Sequence, residues 1–235
     1  GPGVGGSATA GACGPAGSGA PWTYATGTNN TYLFADGIHP SGAAHRMLAN
    51  VVYSTLSAPG IVSLAPEVAL QSSFAQNTAI NEALDIELAY NDSTGKVRGF
   101  TTVQFGQQNI DSSIYTPGLD GDSIGLNVGA TYRVNENGVF GIVATLSNSS
   151  ADAENVATYD GNSILFGIFG QFESDNFYGR ASVTGGNTDI EIQRNIVLGP
   201  SIRRENGSTG VNQLSGTAEL GWLFKGENYS HGPFV

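Results

Sequence analysis

Apolar and polar residues alternate with a period of two along most of the chain after Val97, and this alternation constrains the fold more than any other feature. In residues 124–133 one face carries Ile, Leu, Val, Ala and Tyr, and the other carries Gly, Asn, Gly, Thr and Arg. Because successive side chains of a β-strand point to opposite faces, this pattern predicts strands with one apolar and one polar face. Clusters typical of turns at 135–138 and 173–176 separate such segments and predict antiparallel hairpins. About seven candidate strands fit between Val97 and Phe224.

Two architectures share this alternation, a soluble β-sandwich and a membrane-spanning β-barrel. The polar face favours the barrel, because Gly, Ser, Thr, Asn, Arg and Glu at successive inward positions suit a polar lumen. Aromatic residues also cluster near strand ends, as at a membrane interface, and each segment has roughly the nine to eleven residues that cross a bilayer as a tilted strand. Such barrels have an even number of strands, and Pro233–Val235 falls where another strand would begin. We therefore expect an incomplete antiparallel outer-membrane β-barrel.

The alternation also assigns the two faces of this barrel, since a lipid-facing exterior must be apolar. We expect outward side chains at Leu126, Ala130 and Leu220, and inward side chains at Asn127, Thr131 and Glu219. Because a lumen can hydrate a charge, we expect Asn127→Arg to be far milder than Leu126→Arg.

Ahead of the alternating region, apolar residues recur at helical spacing in two stretches. The first runs from Ser41, a suitable N-cap, to about residue 57, with Pro59–Gly60 as its expected stop. The second runs from about Pro66 to Tyr90 and mixes acidic and amide residues with apolar ones, so it suits a wet cavity. Residues 1–30 have the composition of a loop, without the features of a signal peptide. No apolar run reaches the ~18 residues expected of a membrane-spanning helix.

Charge and composition narrow the possible partners. Nine Lys plus Arg against twenty Asp plus Glu give a net charge of −11, a field that repels phosphate backbones, so nucleic acid is not an expected partner. The single Cys13 can form no internal disulfide. His39 and His45 lie six residues apart with no third good ligand close in sequence, so we predict no metal site and no cofactor.

Asp36 and His39 are the candidate catalytic residues. A carboxylate three residues before a histidine can fold back in a turn and accept a hydrogen bond from the imidazole, which fixes the tautomer and steadies the imidazolium. Gly37 makes such a turn easy, and Pro40 restricts the backbone of His39 to extended angles. An isolated Asp-x-x-His occurs by chance in many proteins, so the surrounding residues matter.

The string Tyr32-Leu33-Phe34-Ala35-Asp36-Gly37-Ile38-His39-Pro40-Ser41-Gly42-Ala43-Ala44-His45 resembles the final conserved block of GDSL (SGNH) hydrolases, in the version carried by autotransporter esterases. Residues 58–67 resemble the linker into an autotransporter barrel, and 122–134 and 138–141 are similar to its early strands. The resemblance covers about residues 31–235. It implies Asp36 as the orienting acid and His39 as the general base of a catalytic triad, with His45 structural.

The resemblance further implies a mainly β fold with two N-terminal helices. Residues 1–62 would be the C-terminal remnant of an α/β SGNH hydrolase passenger, 63–96 a linker and lumen helix, and 97–235 the incomplete barrel. The parent protein would hydrolyse carboxylic esters, including lipids, at the bacterial cell surface. Its barrel, inserted with the barrel-assembly machinery, would contact outer-membrane lipid and translocate and anchor the passenger.

The serine nucleophile of that family lies in a Gly-Asp-Ser block well before the Asp-His block, and its oxyanion donors lie between the two. None of these can be placed in the first thirty residues. Gly121-Asp122-Ser123 spells the tripeptide, but it follows His39 and opens an amphipathic strand, so we do not assign Ser123 as the nucleophile. The chain alone is therefore expected to be inactive. The competing hypotheses are a non-enzymatic autotransporter adhesin and a soluble secreted β-rich protein.

Overall fold

The computed structural model of the chain describes Leu33 and residues 40–89, 94–199, 201–225 and 230–235. Cys13 and the loop expected at 1–30 lie outside these residues. The helices and strands are, in chain order, α1 (Gly42–Val62), α2 (Ala65–Ala89), β1 (Val97–Ile110), β2 (Leu119–Asn135), β3 (Gly138–Ala153), β4 (Ala157–Ser174), β5 (Phe177–Leu198), β6 (Ser201–Trp222), β7 (Phe224–Lys225) and β8 (Ser230–His231). The chain divides into two compact units. One comprises 60–194 with 206–235, and the other comprises 195–205 with the segment that ends at Pro59.

Strands β1 to β6 form one sheet in which neighbours along the chain are neighbours in space, so the sheet is an antiparallel meander. Two-residue turns join β2 to β3 and β4 to β5. In the first turn, the side-chain oxygen of Asn135 accepts a hydrogen bond from the amide of Asn137 at 2.9 Å. In the second, Asp175 adopts the left-handed backbone angle that tight hairpins need, with φ at 53°. Both predicted hairpins, and the mainly β fold class with two preceding helices, are confirmed.

The expected count of about seven strands agrees with β1 to β7 between Val97 and Lys225, but only six of these described strands form the main sheet. The sheet has six strands, and β7 is a two-residue strand that pairs with β8. The expectation assumed segments of roughly ten residues, whereas β5 and β6 each run for 22 residues. Backbone hydrogen bonds of 2.8 and 2.9 Å join Leu220 to Val235, so the last residues pair with β6 where the sequence placed the start of a further strand.

Burial alternates along the strands as the sequence predicts. In β2, Leu126 is 41% exposed, whereas Asn127 and Thr131 are 0% and 2% exposed. The register places Leu126 between Val103 of β1 and Leu146 of β3, which are also exposed. Outward apolar side chains of adjacent strands therefore form one continuous band, and the predicted assignment of faces in β2 is confirmed.

This apolar band is as tall as the hydrocarbon core of a membrane, and polar or aromatic residues border it on its two sides. On β2 it runs from Ile124 to Val134, about 33 Å along the strand and about 25 Å across a bilayer for a strand tilted by about 40°. Beyond one border the outward positions become acidic, as at Asp122 and Asp152. At the other border, next to the two-residue turns, lie the exposed aromatic side chains Tyr132, Phe140, Phe172, Phe177, Trp222 and Phe224. The predicted aromatic girdle is confirmed at this border.

The start of α1 follows the sequence prediction, but its end does not. The hydroxyl oxygen of Ser41 accepts a hydrogen bond from the amide of Ala44 at 3.2 Å, as an N-cap does. The stop predicted at Pro59–Gly60 is wrong, because α1 continues to Val62. Proline removes one amide donor from a helix, but the continuation buries Ile61 in an apolar cluster. The second helix begins and ends within about one residue of the predicted bounds.

Although no apolar run reaches ~18 residues, one helical region among the described residues is long and apolar enough on average to cross a membrane. The helical region Gly42–Glu87 contains an 18-residue window with a mean hydropathy of 1.3. The mean hydropathy of the window is high although Ser, Thr and Asn interrupt the apolar residues. Length and composition alone are weak evidence for a spanning helix, because core helices of soluble domains pass the same test.

Candidate functional site: a helix held against the polar face of the sheet

Helix α2 runs antiparallel to β1 along most of that strand. At one end the side chain of Gln108 donates a hydrogen bond to the carbonyl of Glu67 at 3.3 Å. At the other, the Nε of Arg98 donates to the Glu87 carboxylate at 3.1 Å. The twenty helical residues between Glu67 and Glu87 rise by about 30 Å, and the ten strand residues between Arg98 and Gln108 rise by about 33 Å. The two elements are therefore matched in length, and α2 covers the inward face of the first four strands.

The N-terminal end of α2 is held by apolar packing. Tyr159 of β4 is fully buried, and its hydroxyl donates a hydrogen bond to the carbonyl of Ile61 at 2.7 Å. Since Ile61 lies in the last turn of α1, this bond fixes the connection between the two helices. The buried residues of this cluster are Ile61, Leu64, Ala65, Val68, Ala69, Leu119, Ala151, Ala153, Ala157, Tyr159 and Ile190.

The middle of α2 meets a polar layer. The hydroxyl of Ser73 donates to the side-chain oxygen of Gln213 at 2.6 Å, and the Gln213 amide donates to Ser72 at 3.1 Å and to Thr188 at 2.6 Å. The Thr188 hydroxyl lies 2.7 Å from that of Ser163. This network joins the helix to three strands, and because each bond needs a specific donor and acceptor, it sets the rotation of α2 against the sheet.

A second apolar patch lies about two to three turns further along α2. Ile80, Ala83 and Leu84 pack there against Val143 and Phe169 of the sheet. Phe169 lies directly across from Gly141 in the register of β3 and β4, and its ring occupies the space that a side chain at position 141 would need. Phe169 also meets Phe100 edge to face, with ring centroids 6.2 Å apart. A residue without a side chain in β3 therefore allows an aromatic ring to pack under the helix.

The C-terminal end of α2 is held by a buried ionic cluster, which we define as Glu87, Arg98, Thr131 and Arg133. Glu87 is 4% exposed, and its carboxylate accepts hydrogen bonds from Arg98 at 3.1 Å, Arg133 at 3.2 Å and Thr131 at 2.6 Å. Arg133 also donates to the backbone carbonyl of Glu87 at 2.6 Å. A cation near the last carbonyls of a helix is favoured by the helix dipole. A carboxylate with two guanidinium partners and a hydroxyl donor meets the conditions under which a charge can be buried.

A second ion pair joins α2 to β5 near the same end. Arg180 of β5 pairs with Asp85. The Asp85 side chain is 64% exposed, so this pair contributes less than the cluster around Glu87. Arg180 also lies over the ring of Tyr178, with its guanidinium carbon 5.6 Å from the ring centroid. These contacts give β5 a direct attachment to the helix, in addition to the network through Thr188.

The expectation that the interior would hydrate a charge at position 127 is wrong. Asn127 is fully buried, its amide donates to Thr102 at 3.2 Å, and its oxygen accepts from Thr145 at 2.7 Å. Open space lies elsewhere, in a cavity of about 510 Å³ between α2 and β1 that includes Gln71 and Gln104 in its lining. The polar face of the sheet is thus partly dry, because the helix fills it.

The sequence-predicted site residues Asp36 and His39 lie outside the described residues. The described residues that follow them begin at Pro40, and Ser41 is 2% exposed. His45 is on the first turn of α1 with its Nδ1 3.0 Å from the carbonyl oxygen of Ser41. The side chain of Ser123 lines the cavity between α2 and β1.

The ionic cluster was not predicted from the sequence, although two signals for it were present. Arg98 and Arg133 both occupy inward positions, and the register places Arg98 opposite Thr131, two residues from Arg133. Two arginines are a large share of the nine cationic side chains in the chain. Such a pair on a polar strand face requires an acidic partner, and only the placement of α2 identifies it as Glu87.

The sheet is an antiparallel meander with an apolar exterior band and an aromatic girdle, and a preceding helix covers its polar face. These features together define a class of protein, the outer-membrane β-barrel with a helix in its interior. Comparison with protein families agrees with this class. Residues 99–235 match the family described as the autotransporter beta-domain, and the chain belongs to that family. The β-domain is accordingly an outer-membrane barrel domain whose passenger is exposed at the cell surface.

Three curated proteins show what the chain is similar to. It is 28% identical over 192 residues to "Esterase EstA" of Pseudomonas aeruginosa, and equally to "Esterase EstA" of Pseudomonas putida, in each case over 81% of this chain and 30% of the relative. It is 26% identical over 202 residues to "Lipase 1" of Photorhabdus luminescens, over 81% of this chain and 28% of that protein. The chain therefore spans less than a third of the length of these relatives.

Proposed function

We propose that the chain is part of a surface-anchored autotransporter esterase. The observation that carries the proposal is the block from Tyr32 to His45, which resembles the last block of the GDSL hydrolases and precedes a barrel domain in the sequence. The names of the curated relatives, two esterases and a lipase, add to it. The proposed division places the hydrolase remnant at 1–62, the linker and lumen helix at 63–96, and the barrel at 97–235.

In this proposal the parent protein hydrolyses carboxylic esters, lipids among them, through an acyl-enzyme. His39 takes the proton from a serine hydroxyl as that oxygen attacks the ester carbonyl, and returns a proton to the leaving alcohol. Asp36 accepts a hydrogen bond from the imidazole and stabilises its charged form. A water molecule then attacks the acyl-enzyme with His39 again as the base, which releases the acid and restores the serine. The nucleophile and the oxyanion donors belong to parts of the parent outside this chain.

The proposed role of the barrel is to insert in the outer membrane, to deliver the passenger and to anchor it. Insertion would use the barrel-assembly machinery, and the apolar band would contact outer-membrane lipid. A helix attached to the inward face at both ends and in the middle suits the anchored state after delivery, because an attached helix obstructs the interior. The competing function is that of a non-enzymatic autotransporter adhesin, for which a full-length reading frame without a Gly-Asp-Ser block before Tyr32 would be decisive.

The full-length parent protein tests the catalytic assignment. His39→Ala is expected to lower kcat for a p-nitrophenyl ester by roughly 10³-fold or more, because the general base is lost. His45→Ala is the matched control, since this exposed ring contacts the backbone of its own helix, and its kcat is expected to remain within about twofold. A near-normal rate for His39→Ala would remove His39 from the site.

The chain on its own provides a second test. Without the serine block it is expected to show no ester turnover above background. If turnover were found and then lost in Ser123→Ala, Ser123 would be a nucleophile and the assignment to a missing upstream block would be wrong.

A further inference from the structure

The hairpin between β5 and β6 ends in an apolar tip, which we define as residues 195–199, 201 and 202. These residues, Asn195-Ile196-Val197-Leu198-Gly199 and Ser201-Ile202, include four large aliphatic side chains. The preceding outward positions of β5, Asp189 and Glu191, are exposed acidic residues. The tip is therefore separated along its strand from the apolar band that faces lipid, and membrane contact does not explain its composition.

One side of the tip is covered. Ile196 is only 7% exposed, and Leu198, which shares its face of the strand, is half-buried. Val197, on the opposite face, is 51% exposed. Residues 195–205 belong to the same compact unit as the segment that ends at Pro59, which includes most of α1. The cover of the tip is therefore to be sought in that segment.

Met47 of α1 contacts the turn of the hairpin. Gly199 has a φ of 59°, and a Cβ atom placed on it would lie 3.0 Å from the Cγ and 3.3 Å from the Sδ of Met47. The left-handed backbone angle favours glycine, and the absence of a side chain lets the thioether approach the backbone. Methionine is suited to such a contact because its unbranched, polarisable side chain fills irregular gaps.

We propose that the tip of the β5–β6 hairpin is a docking surface for helix α1, so that the β-domain itself holds the helix that directly follows the Asp36–His39 block. The occupant is this chain's own α1, with Met47 seated on Gly199 and the Ile196–Leu198 face. The proposal is independent of the esterase assignment, since it requires only that α1 and the hairpin remain in contact. Its consequence is that the passenger is attached to the barrel by a second point in addition to the linker between α1 and α2.

A disulfide trap in the full-length protein tests the contact. In a Cys13→Ser background, Met47→Cys is combined with Gly199→Cys, and a protease site is inserted between Ile114 and Tyr115, which are 88% and 79% exposed. Because the Met47 Cβ is bonded to the Cγ, the two Cβ atoms lie at most about 4.5 Å apart, within reach of a disulfide. After mild oxidation and cleavage, the two fragments are expected to stay together on a non-reducing gel and to separate on reduction.

The matched control pairs Leu48→Cys with Gly199→Cys. Leu48 is the next residue of α1, is 61% exposed, and points about 100° around the helix from Met47. The Met47 pair is expected to close roughly tenfold faster or more than the Leu48 pair, because only the former has disulfide geometry. Equal rates for the two pairs, or no closure of either, would overturn the proposal.

Hydrogen exchange provides a measurement that needs no cysteine. Ile196→Asn is expected to raise the exchange rates of α1 amides around Met47 severalfold, because a polar side chain in the covered face weakens docking. Arg203→Gln is the control on the same hairpin, since Arg203 is exposed and pairs with Glu205 at 3.1 Å, and it should leave those rates unchanged. Unchanged rates in Ile196→Asn would mean that α1 does not depend on the hairpin.

Discussion

Replacing Glu87 by Gln should release the C-terminal end of α2 from the sheet. The carboxylate accepts three hydrogen bonds, two of them from guanidinium groups, and the Arg133 side chain is only 8% exposed. Gln keeps the size of Glu but is neutral, and it presents an amide donor where Arg133 also donates. The variant thus leaves a buried cation without its carboxylate while the packing volume is unchanged.

The magnitude follows from the burial of the two ion pairs. Removing one partner of a buried pair costs about 3–5 kcal/mol. The Arg98 side chain is 29% exposed, so its pair is partly screened by water and adds little. We therefore expect a loss of about 3 kcal/mol in the free energy that docks α2, which corresponds to a rise of about 100-fold in the undocked population.

Cysteine labelling measures this population directly. Ala79 lies in α2 and is fully buried, so a cysteine placed there reacts with a maleimide only when the helix leaves the sheet. In the full-length protein in detergent, with Cys13 replaced by Ser, Glu87→Gln should increase the labelling rate of Ala79→Cys by about 100-fold. Glu82→Gln is the matched control, because this exposed glutamate of the same helix makes a 3.1 Å hydrogen bond to Gln104 and should change the rate by no more than about twofold.

A double variant separates the ion pair from a general effect on the helix. If the loss comes from Arg133 without its carboxylate, adding Arg133→Gln to Glu87→Gln should slow labelling by about tenfold relative to the single variant, since the uncompensated charge is removed. If Ala79→Cys were labelled no faster in Glu87→Gln than in Glu82→Gln, the ionic cluster would not hold the C-terminal end of α2. Additive effects of Glu87→Gln and Arg133→Gln would refute their pairing.

Two further perturbations test the exterior and the apolar end of α2. Leu126→Arg should cost about 2–4 kcal/mol in the folding of the complete barrel into lipid, because the charge would lie in the apolar band. Gln104→Arg should cost less than about 1 kcal/mol, because this position faces the cavity and Glu82. If urea titrations gave equal losses of unfolding free energy for the two variants, both positions would lie in the same environment and the assignment of the two faces would be wrong. Tyr159→Phe should cost about 0.5–1.5 kcal/mol, because the buried carbonyl of Ile61 would lose one of its two donors and keep only the amide of Leu64 at 3.2 Å. Tyr132→Phe, at a position 44% exposed, should be nearly neutral in the same titration. A neutral Tyr159→Phe would show that the bond does not contribute to stability.

Features that depend on local spacing were predictable from the order of the residues alone. The alternation at Leu126 and Asn127 assigned the faces of β2 correctly, because a strand presents successive side chains to opposite sides whatever its neighbours are. The turn at 135–138 and the N-cap at Ser41 were also predictable, since each uses hydrogen bonds between residues two or three apart. The roles of Asp36 and His39 depend on a resemblance over a short block, and they stay predictions.

Features that depend on residues far apart in the chain became visible only in the packing of the helices and strands. The pairing of Glu87 with Arg133 joins positions 46 residues apart and required the placement of α2 against β2. The same placement made Asn127 dry, although its sequence pattern is that of a hydrated lumen. The continuation of α1 through Pro59 likewise depended on the cluster that buries Ile61. In each case the burial of a distant partner outweighed the local signal, because the environment of a side chain in a barrel is set by what fills the interior.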